Sequence, residues 1–219
     1  MKNKVVSMDE ATSVIRDGVS LMVGGFMTVG SPLSIIDAIV FKRIKNLTVI
    51  CDDSGRPGCG TSNLVAAGAM KKLIASHIGL NPETGRKMVS GELEVELVPQ
   101  GTLAERIRAG GSGLGGFLTP TGIGTESAKG KQVITVDGRD YLLELPLRAD
   151  VAILRGSIVD TSGNIFYKGT TRNFNPLMAM AADKVIVEAE QIVEVGELDP
   201  DYVMTSGIFI DYVVGGTKP

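Results

Sequence analysis

One run near the N-terminus constrains this chain more than any other: Asp17-Gly18-Val19-Ser20-Leu21-Met22-Val23-Gly24-Gly25-Phe26-Met27-Thr28-Val29-Gly30-Ser31-Pro32. Val19 to Val23 reads as a buried strand, being largely apolar and ending on a glycine pair. Gly24, Gly25 and Gly30 bracket a loop that needs unusual backbone angles or close approach to a ligand. Ser31 suits a helix N-cap and Pro32 the first helical turn. The free N–H groups of such a helix start carry partial positive charge and invite an anion. The order of parts is that of a dinucleotide site, but the spacing is not G-x-G-x-x-G.

The same alternation continues along the chain. Strands are expected at Val19–Val23, Leu47–Cys51, Lys72–Ser76, Leu93–Val98, Val151–Leu154 and Lys184–Val187, and helices at Pro32–Phe41, Asn63–Met70, Thr102–Arg108 and Pro176–Ala182. Asn175-Pro176 repeats the pattern of a capping residue followed by proline. This rhythm predicts an α/β fold with a largely parallel sheet covered by helices. Gln132–Val136, Asp137-Gly138 and Tyr141–Glu144 read as a hairpin. Thr161–Tyr167 reads as a second reversal, and these antiparallel pieces are expected to form a small extra layer. With no repeat or linker in view, residues 1–219 are read as one domain.

Composition narrows the function classes. The chain of 219 residues has a net charge of −3 and no basic stripe, which argues against nucleic acid and anionic membrane as partners. No apolar run approaches the ~20 residues that span a bilayer, and the N-terminus lacks a signal peptide's apolar region. A cytoplasmic protein is expected. Cys51 and Cys59 suit neither a zinc motif nor a cytosolic disulfide, and no metal site is expected. Of 219 residues 28 are glycine, well above the usual ~7%.

A second glycine cluster follows Val98-Pro99-Gln100-Gly101, itself read as strand, turn and helix start. Gly110, Gly111, Gly113, Gly115, Gly116, Gly122 and Gly124 belong either to a loop packed against a ligand or another chain, or to a flexible linker. Gln100 has two readings of equal weight, a turn-stabilising side chain or an amide aimed at a substrate carboxylate or thioester oxygen. His77, the single histidine, stands at a buried strand end with no evident acid partner, so a structural role is favoured over a Cys–His pair. Asp52-Asp53 reads as loop capping rather than metal binding. Arg106 and Arg108 read as a solvated face with local ion pairs rather than as phosphate ligands.

The pattern D-G-x-x-(three apolar)-G-G-F-x-x-x-G-x-P, filled from Asp17 to Pro32, resembles the first signature of the family I coenzyme A transferases. The resemblance extends through Ile74–Gly79, Asn81–Gly85, Val98–Arg108, Gly110–Thr125, Pro146–Asp150 and Arg172–Pro176. It is to the α-subunits of the acetate/butyrate–acetoacetate branch and spans roughly Gly18 to Asp211. It implies an α/β sandwich shared with some sugar-phosphate isomerases. It also implies exchange of coenzyme A, as substrate, between a short-chain acyl-CoA such as acetyl- or butyryl-CoA and acetoacetate or another short-chain acid.

In that family a glutamate attacks the acyl-CoA carbonyl to give an acyl–glutamyl anhydride and CoA thiolate. The thiolate returns to form a glutamyl–CoA thioester, and the second acid reverses the steps. The Ser-Glu-Asn-Gly segment that carries the glutamate is missing from this chain; neither Glu83 nor Glu126 has its context. The resemblance therefore implies a separate β-subunit bearing the nucleophile, in an α₂β₂ assembly. No catalytic residue is expected in this chain beyond a substrate or oxyanion contact by Gln100. The loop Gly24, Gly25, Phe26, Met27, Thr28, Val29 and Gly30 is expected to receive coenzyme A, with its N–H groups and missing side chains making the room. A sugar-phosphate isomerase and a non-catalytic ligand-binding subunit on a similar fold are the competing readings. The lone histidine, far from obvious carboxylates, counts against the first, and the absence of a helix-turn-helix against a DNA-linked sensor.

Overall fold

The computed structural model describes residues 2–215. The chain runs α1 (Met8–Thr12), β1 (Ser20–Val23), α2 (Leu33–Phe41), β2 (Leu47–Cys51), α3 (Thr61–Ala66), β3 (Met70–Ala75), α4 (Pro82–Ser90), β4 (Glu94–Leu97), α5 (Gln100–Gly111) and β5 (Phe117–Thr119). It continues through β6 (Val133–Val136), β7 (Arg139–Glu144), β8 (Ala149–Asp160), β9 (Ile165–Phe166), α6 (Asn175–Met180), β10 (Ala182–Val193) and β11 (Tyr212–Gly215). The main sheet has the order β11-β10-β8-β1-β2-β3-β4, every neighbouring pair parallel, with β9 antiparallel on β8. A separate antiparallel sheet has the order β5-β7-β6.

Alternation along each strand divides the core. Leu21, Val23, Val49, Cys51, Leu73 and Ile153 face α1, α2 and α3. Met22, Ile50, Ile74, Ala152, Leu154 and Val187 face α5 and α6. Both faces are thus covered, as a parallel sheet requires. The order reverses at β1, which has β2 on one side and β8 on the other. Open α/β sheets bind ligands at such a switch point, outside the carboxyl ends of the strands, and the 24–30 loop leaves β1 there.

Several expectations shift. β8 and β10 each run 12 residues, far past Val151–Leu154 and Lys184–Val187, because the strands continue through charged residues that pair inside the protein. The second expected helix stops at Ala66: Gly68, at φ +60, turns the chain, and Met70 already pairs with Leu47. The 132–144 hairpin joins the extra layer, whereas the 161–167 reversal returns β9 to the main sheet. The glycine cluster is packed against the protein at its start, while Gly113, Gly115 and Gly124 lie in open turns. Gly110 and Gly111 end α5 against Leu147 and Met180, where a Cβ would come within 2.2 and 2.7 Å of their atoms, and Phe117–Thr119 pairs with β7. No helix among the described residues is long and apolar enough to cross a membrane.

Candidate active site

The 24–30 loop is built by the chain's own side chains. Gly24 N–H donates to the Ile153 carbonyl at 2.9 Å and Gly25 N–H to Asn173 Oδ1 at 3.2 Å. Phe26 and Val29 exchange backbone hydrogen bonds of 3.0 and 2.9 Å around a two-residue turn. Both turn residues have positive φ, Met27 at 47° and Thr28 at 74°. For the β-branched Thr28 that is a real outlier, and such strain persists only where surroundings over-determine it. The surroundings are visible. Met27 N–H donates to Asp53 Oδ2 at 2.7 Å, Asn173 Nδ2 to the Val29 carbonyl at 3.0 Å, and Asn175 Nδ2 to the Gly30 carbonyl at 3.0 Å.

The glycines answer to these clamps. A Cβ on Gly24 would lie 1.9 Å from Asn175 Oδ1, and one on Gly25 would lie 2.0 Å from Ser31 Oγ. The space left by the missing side chains is therefore filled from within. Gly24, Gly25 and Gly30 are buried, Met27 and Thr28 are half-buried, and Phe26 and Val29 are exposed. The surface of the loop is its tip, Phe26–Val29.

The helix start differs from expectation too. Pro32, not Ser31, occupies the cap position of α2 and supplies no side-chain cap. The anion that the N–H groups of the helix start invite is already present. Glu188, fully buried on β10, accepts the Ile35 N–H at 3.1 Å and the Ser34 hydroxyl at 3.3 Å. Arg155 Nη1 holds the same carboxylate at 2.9 Å, while its Nε bonds Glu190 at 2.9 Å. Asn175 is likewise the first residue of α6 rather than its cap; its Oδ1 accepts the Arg155 N–H at 3.2 Å.

The open space lies beside the tip. A cavity of about 400 Å³ is lined by Phe26, Met27, Asp52, Asp53, Ser76, His77, Leu80 and Gln100. Its polar residues come from three adjacent strands: Asp52-Asp53 directly follow β2, Ser76-His77 follow β3, and Gln100, after β4, heads α5, ahead of the expected helix start at Thr102. The Gln100 amide Nε2 donates to Asp52 Oδ1 at 2.9 Å, and Ser76 Oγ lies 2.9 Å from the same oxygen. Asp52 Oδ2 is buried with no partner. Burial raises the Asp52 carboxyl above its ordinary value, against the lowering effect of Gln100 and Ser76; Asp53 adds to the rise and His77 opposes it. Asp53 is fully engaged as a loop cap, its Oδ1 taking the Gly55 N–H at 2.7 Å.

His77 is exposed at the cavity rim and has these carboxylates as neighbours, contrary to a buried histidine without acids. It does not activate Cys51, whose thiol is buried and pushed well above its ordinary value by that burial and by Asp53 and Asp52. Arg106 and Arg108 are taken up in ion pairs with Glu96 at 3.0 Å and Glu105 at 2.7 Å. Arg106 is the more enclosed and spans from β4 to the small sheet, so it is not part of a solvated face. Among the described residues no group of three or more His, Cys, Asp or Glu is placed to hold a metal ion. In the sequence Asp52, His77 and Gln100 stand as separate candidates, and Ser76 only as the end of an expected strand. The signal that unites them is positional, since polar residues immediately after three neighbouring parallel strands must emerge on one edge.

A family model described as Coenzyme A transferase matches residues 5–216. Acetoacetyl-CoA:acetate/butyrate CoA transferase alpha subunit of Clostridium acetobutylicum is 55% identical over 214 residues, with 98% of each chain covered. Acetate CoA-transferase subunit alpha of Escherichia coli K12 is 51% identical over 214 residues, covering 98% of this chain and 97% of that one. An acyl-CoA transferase of E. coli O157:H7, solved as a thioester complex with CoA, superposes with a TM-score of 0.84 at 22% identity over 98% of this chain and 47% of that chain, a likeness of fold. With the signature loop closing the first strand of a parallel sheet and the match running almost end to end, this chain belongs to the coenzyme A transferase family.

Proposed function

We propose that this chain, acting as a single domain in the cytoplasm, is the α-subunit of a transferase that moves coenzyme A between acetyl- or butyryl-CoA and acetoacetate or another short-chain acid. Its relatives' names and their near full-length similarity support the substrate class. The observation that carries the split-site reading is what the cavity's own carboxylates are doing. Asp52 is buried and bonded to Ser76 and Gln100, and Asp53 is tied through both oxygens to backbone N–H groups. Neither is free to attack a thioester.

The nucleophile is a glutamate in a Ser-Glu-Asn-Gly segment of a β-subunit, in an α₂β₂ assembly whose active site lies at the tip of the 24–30 loop. Phe26, Met27, Thr28 and Val29 touch coenzyme A or its acyl group, and Gly24, Gly25 and Gly30 let the loop take its shape. Gln100 donates an amide N–H to the acyl oxygen as charge builds there, the role of a fixed oxyanion donor. The apolar wall of Phe26, Met27 and Leu80 suits a short alkyl tail and keeps water from the anhydride. Among the described residues no Lys or Arg lines the cavity, which disfavours a sugar phosphate.

Co-expression with the β-subunit and an acyl-exchange assay against acetate, butyrate and acetoacetate tests this reading. Exchange that needs both chains, with a glutamyl–CoA adduct trapped on the partner, is expected. Full activity from this chain alone, or an adduct on one of its own acids, overturns it.

A further inference from the structure

Gln100 is exposed at the head of a helix, where a glutamine side chain is free to sample many rotamers. A donor of that kind stabilises a transition state only if something fixes it beforehand. Asp52 is placed to do so. Its Oδ1 receives the Gln100 Nε2 and lies 2.9 Å from Ser76 Oγ, a residue held in turn by the Asp52 carbonyl at 2.9 Å. A carboxylate oxygen that accepts settles the orientation of the amide: nitrogen toward Asp52, with its second N–H left for the cavity.

We infer that Asp52 is a positioning residue for coenzyme A transfer, one that locks the Gln100 amide so that its remaining N–H faces the acyl oxygen. This rests on the substrate role given to Gln100 above. Asp52 serves through one acceptor oxygen and not through its charge. Its other oxygen is buried without a donor, and among the described residues neither Lys nor Arg lines the cavity, His77 at the exposed rim being the basic side chain there. An isolated buried charge is unfavourable, while an asparagine offers the same acceptor at the same place.

The test is a double-mutant cycle in the assembled two-subunit enzyme, with acetate and butyrate as acceptor acids. Gln100→Ala is expected to lower kcat by about 10- to 100-fold with little change in the KM of the acid, as loss of a transition-state donor does. Asp52→Ala should match it, and the double variant should fall no more than about 2-fold below Gln100→Ala alone, because two residues acting as a unit are not additive. Asp52→Asn should stay within about 3-fold of the parent. Where Asp52→Ala fails to assemble with its partner, Asp52→Ser, too short to reach Gln100, takes its place. Multiplicative losses in the double variant, or an Asp52→Asn as impaired as Asp52→Ala, overturn the positioning role while leaving Gln100 in place. A fully active Gln100→Ala overturns both the role of Gln100 and the inference built on it.

Discussion

Glu188 on β10 and Asp52 just past the end of β2 are both buried carboxylates, 0% and 1% exposed, and burial raises both above their ordinary values. They are finished in opposite ways. Glu188 has a guanidinium, a helix N–H and a hydroxyl around it, so every charge at the α2 start is answered inside the chain. Asp52 has one oxygen occupied by two side chains and the other by none. A closed network of the first kind holds a loop in place. An incomplete one of the second kind, bordering a cavity, holds a side chain for use. The switch point of the sheet thus carries the scaffold, and the working edge lies one strand away at the ends of β2 and β3.

Breaking the closed network should have the largest effect. Arg155→Met leaves Glu188 buried without its counter-ion and is expected to destabilise the fold by about 3–5 kcal/mol. Chemical denaturation reads this directly, and Glu188→Gln with Arg155→Met together should recover most of the loss. A single-variant loss below about 1 kcal/mol would mean that the two carboxylates are less different than their surroundings imply.

The same network can be loaded from the loop side. Gly24→Ala pushes a Cβ onto Asn175 Oδ1, which accepts the Arg155 N–H, so the clash strains Asn175 where it joins loop and sheet. Overpacking of this kind costs about 1–3 kcal/mol. Gly101→Ala in α5, where the added carbon meets nothing within 4 Å, is the matched control and should hold or gain stability. If activity falls in Gly24→Ala without any loss of stability, the glycine serves a ligand and not Asn175.

These residues also show what a reader of the sequence can and cannot see. The parallel sheet was legible because Val, Ile and Leu runs alternate with helical spacings, and the hairpin because Asp137-Gly138 lies between two strand-like runs. The lengths of β8 and β10 were not, since Arg155, Glu188 and Glu190 look like strand ends until their mutual pairing across the register is known. The loop's glycines were legible as a constraint but not its cause, for Asn173 and Asn175 reach it from nearly 150 residues away. Asp52 and Gln100 likewise meet only because β2, β3 and β4 are neighbours, a fact of topology that no local pattern encodes.

The smallest expected effect bears on the incomplete member of the pair. Asp52 has a raised carboxyl, so in the folded protein it keeps its proton to higher pH than in the unfolded chain. Its contribution to stability is therefore complete below the ordinary aspartate value of 3.8 and is withdrawn as pH rises through the raised folded value. Asparagine has no proton to lose. The stability of Asp52→Asn relative to the parent should then grow in the variant's favour across that window and level off above it. The difference should stay within about 1–2 kcal/mol, as the Gln100 and Ser76 contacts persist with either side chain. Glu188 shifts in the same direction but is common to both proteins and cancels in the comparison. A difference that is flat with pH would show that Asp52 Oδ2 finds a donor in solution, and would remove the contrast with Glu188. A difference that grows toward low pH would reverse the sign and mean that the charge of His77 outweighs burial at Asp52.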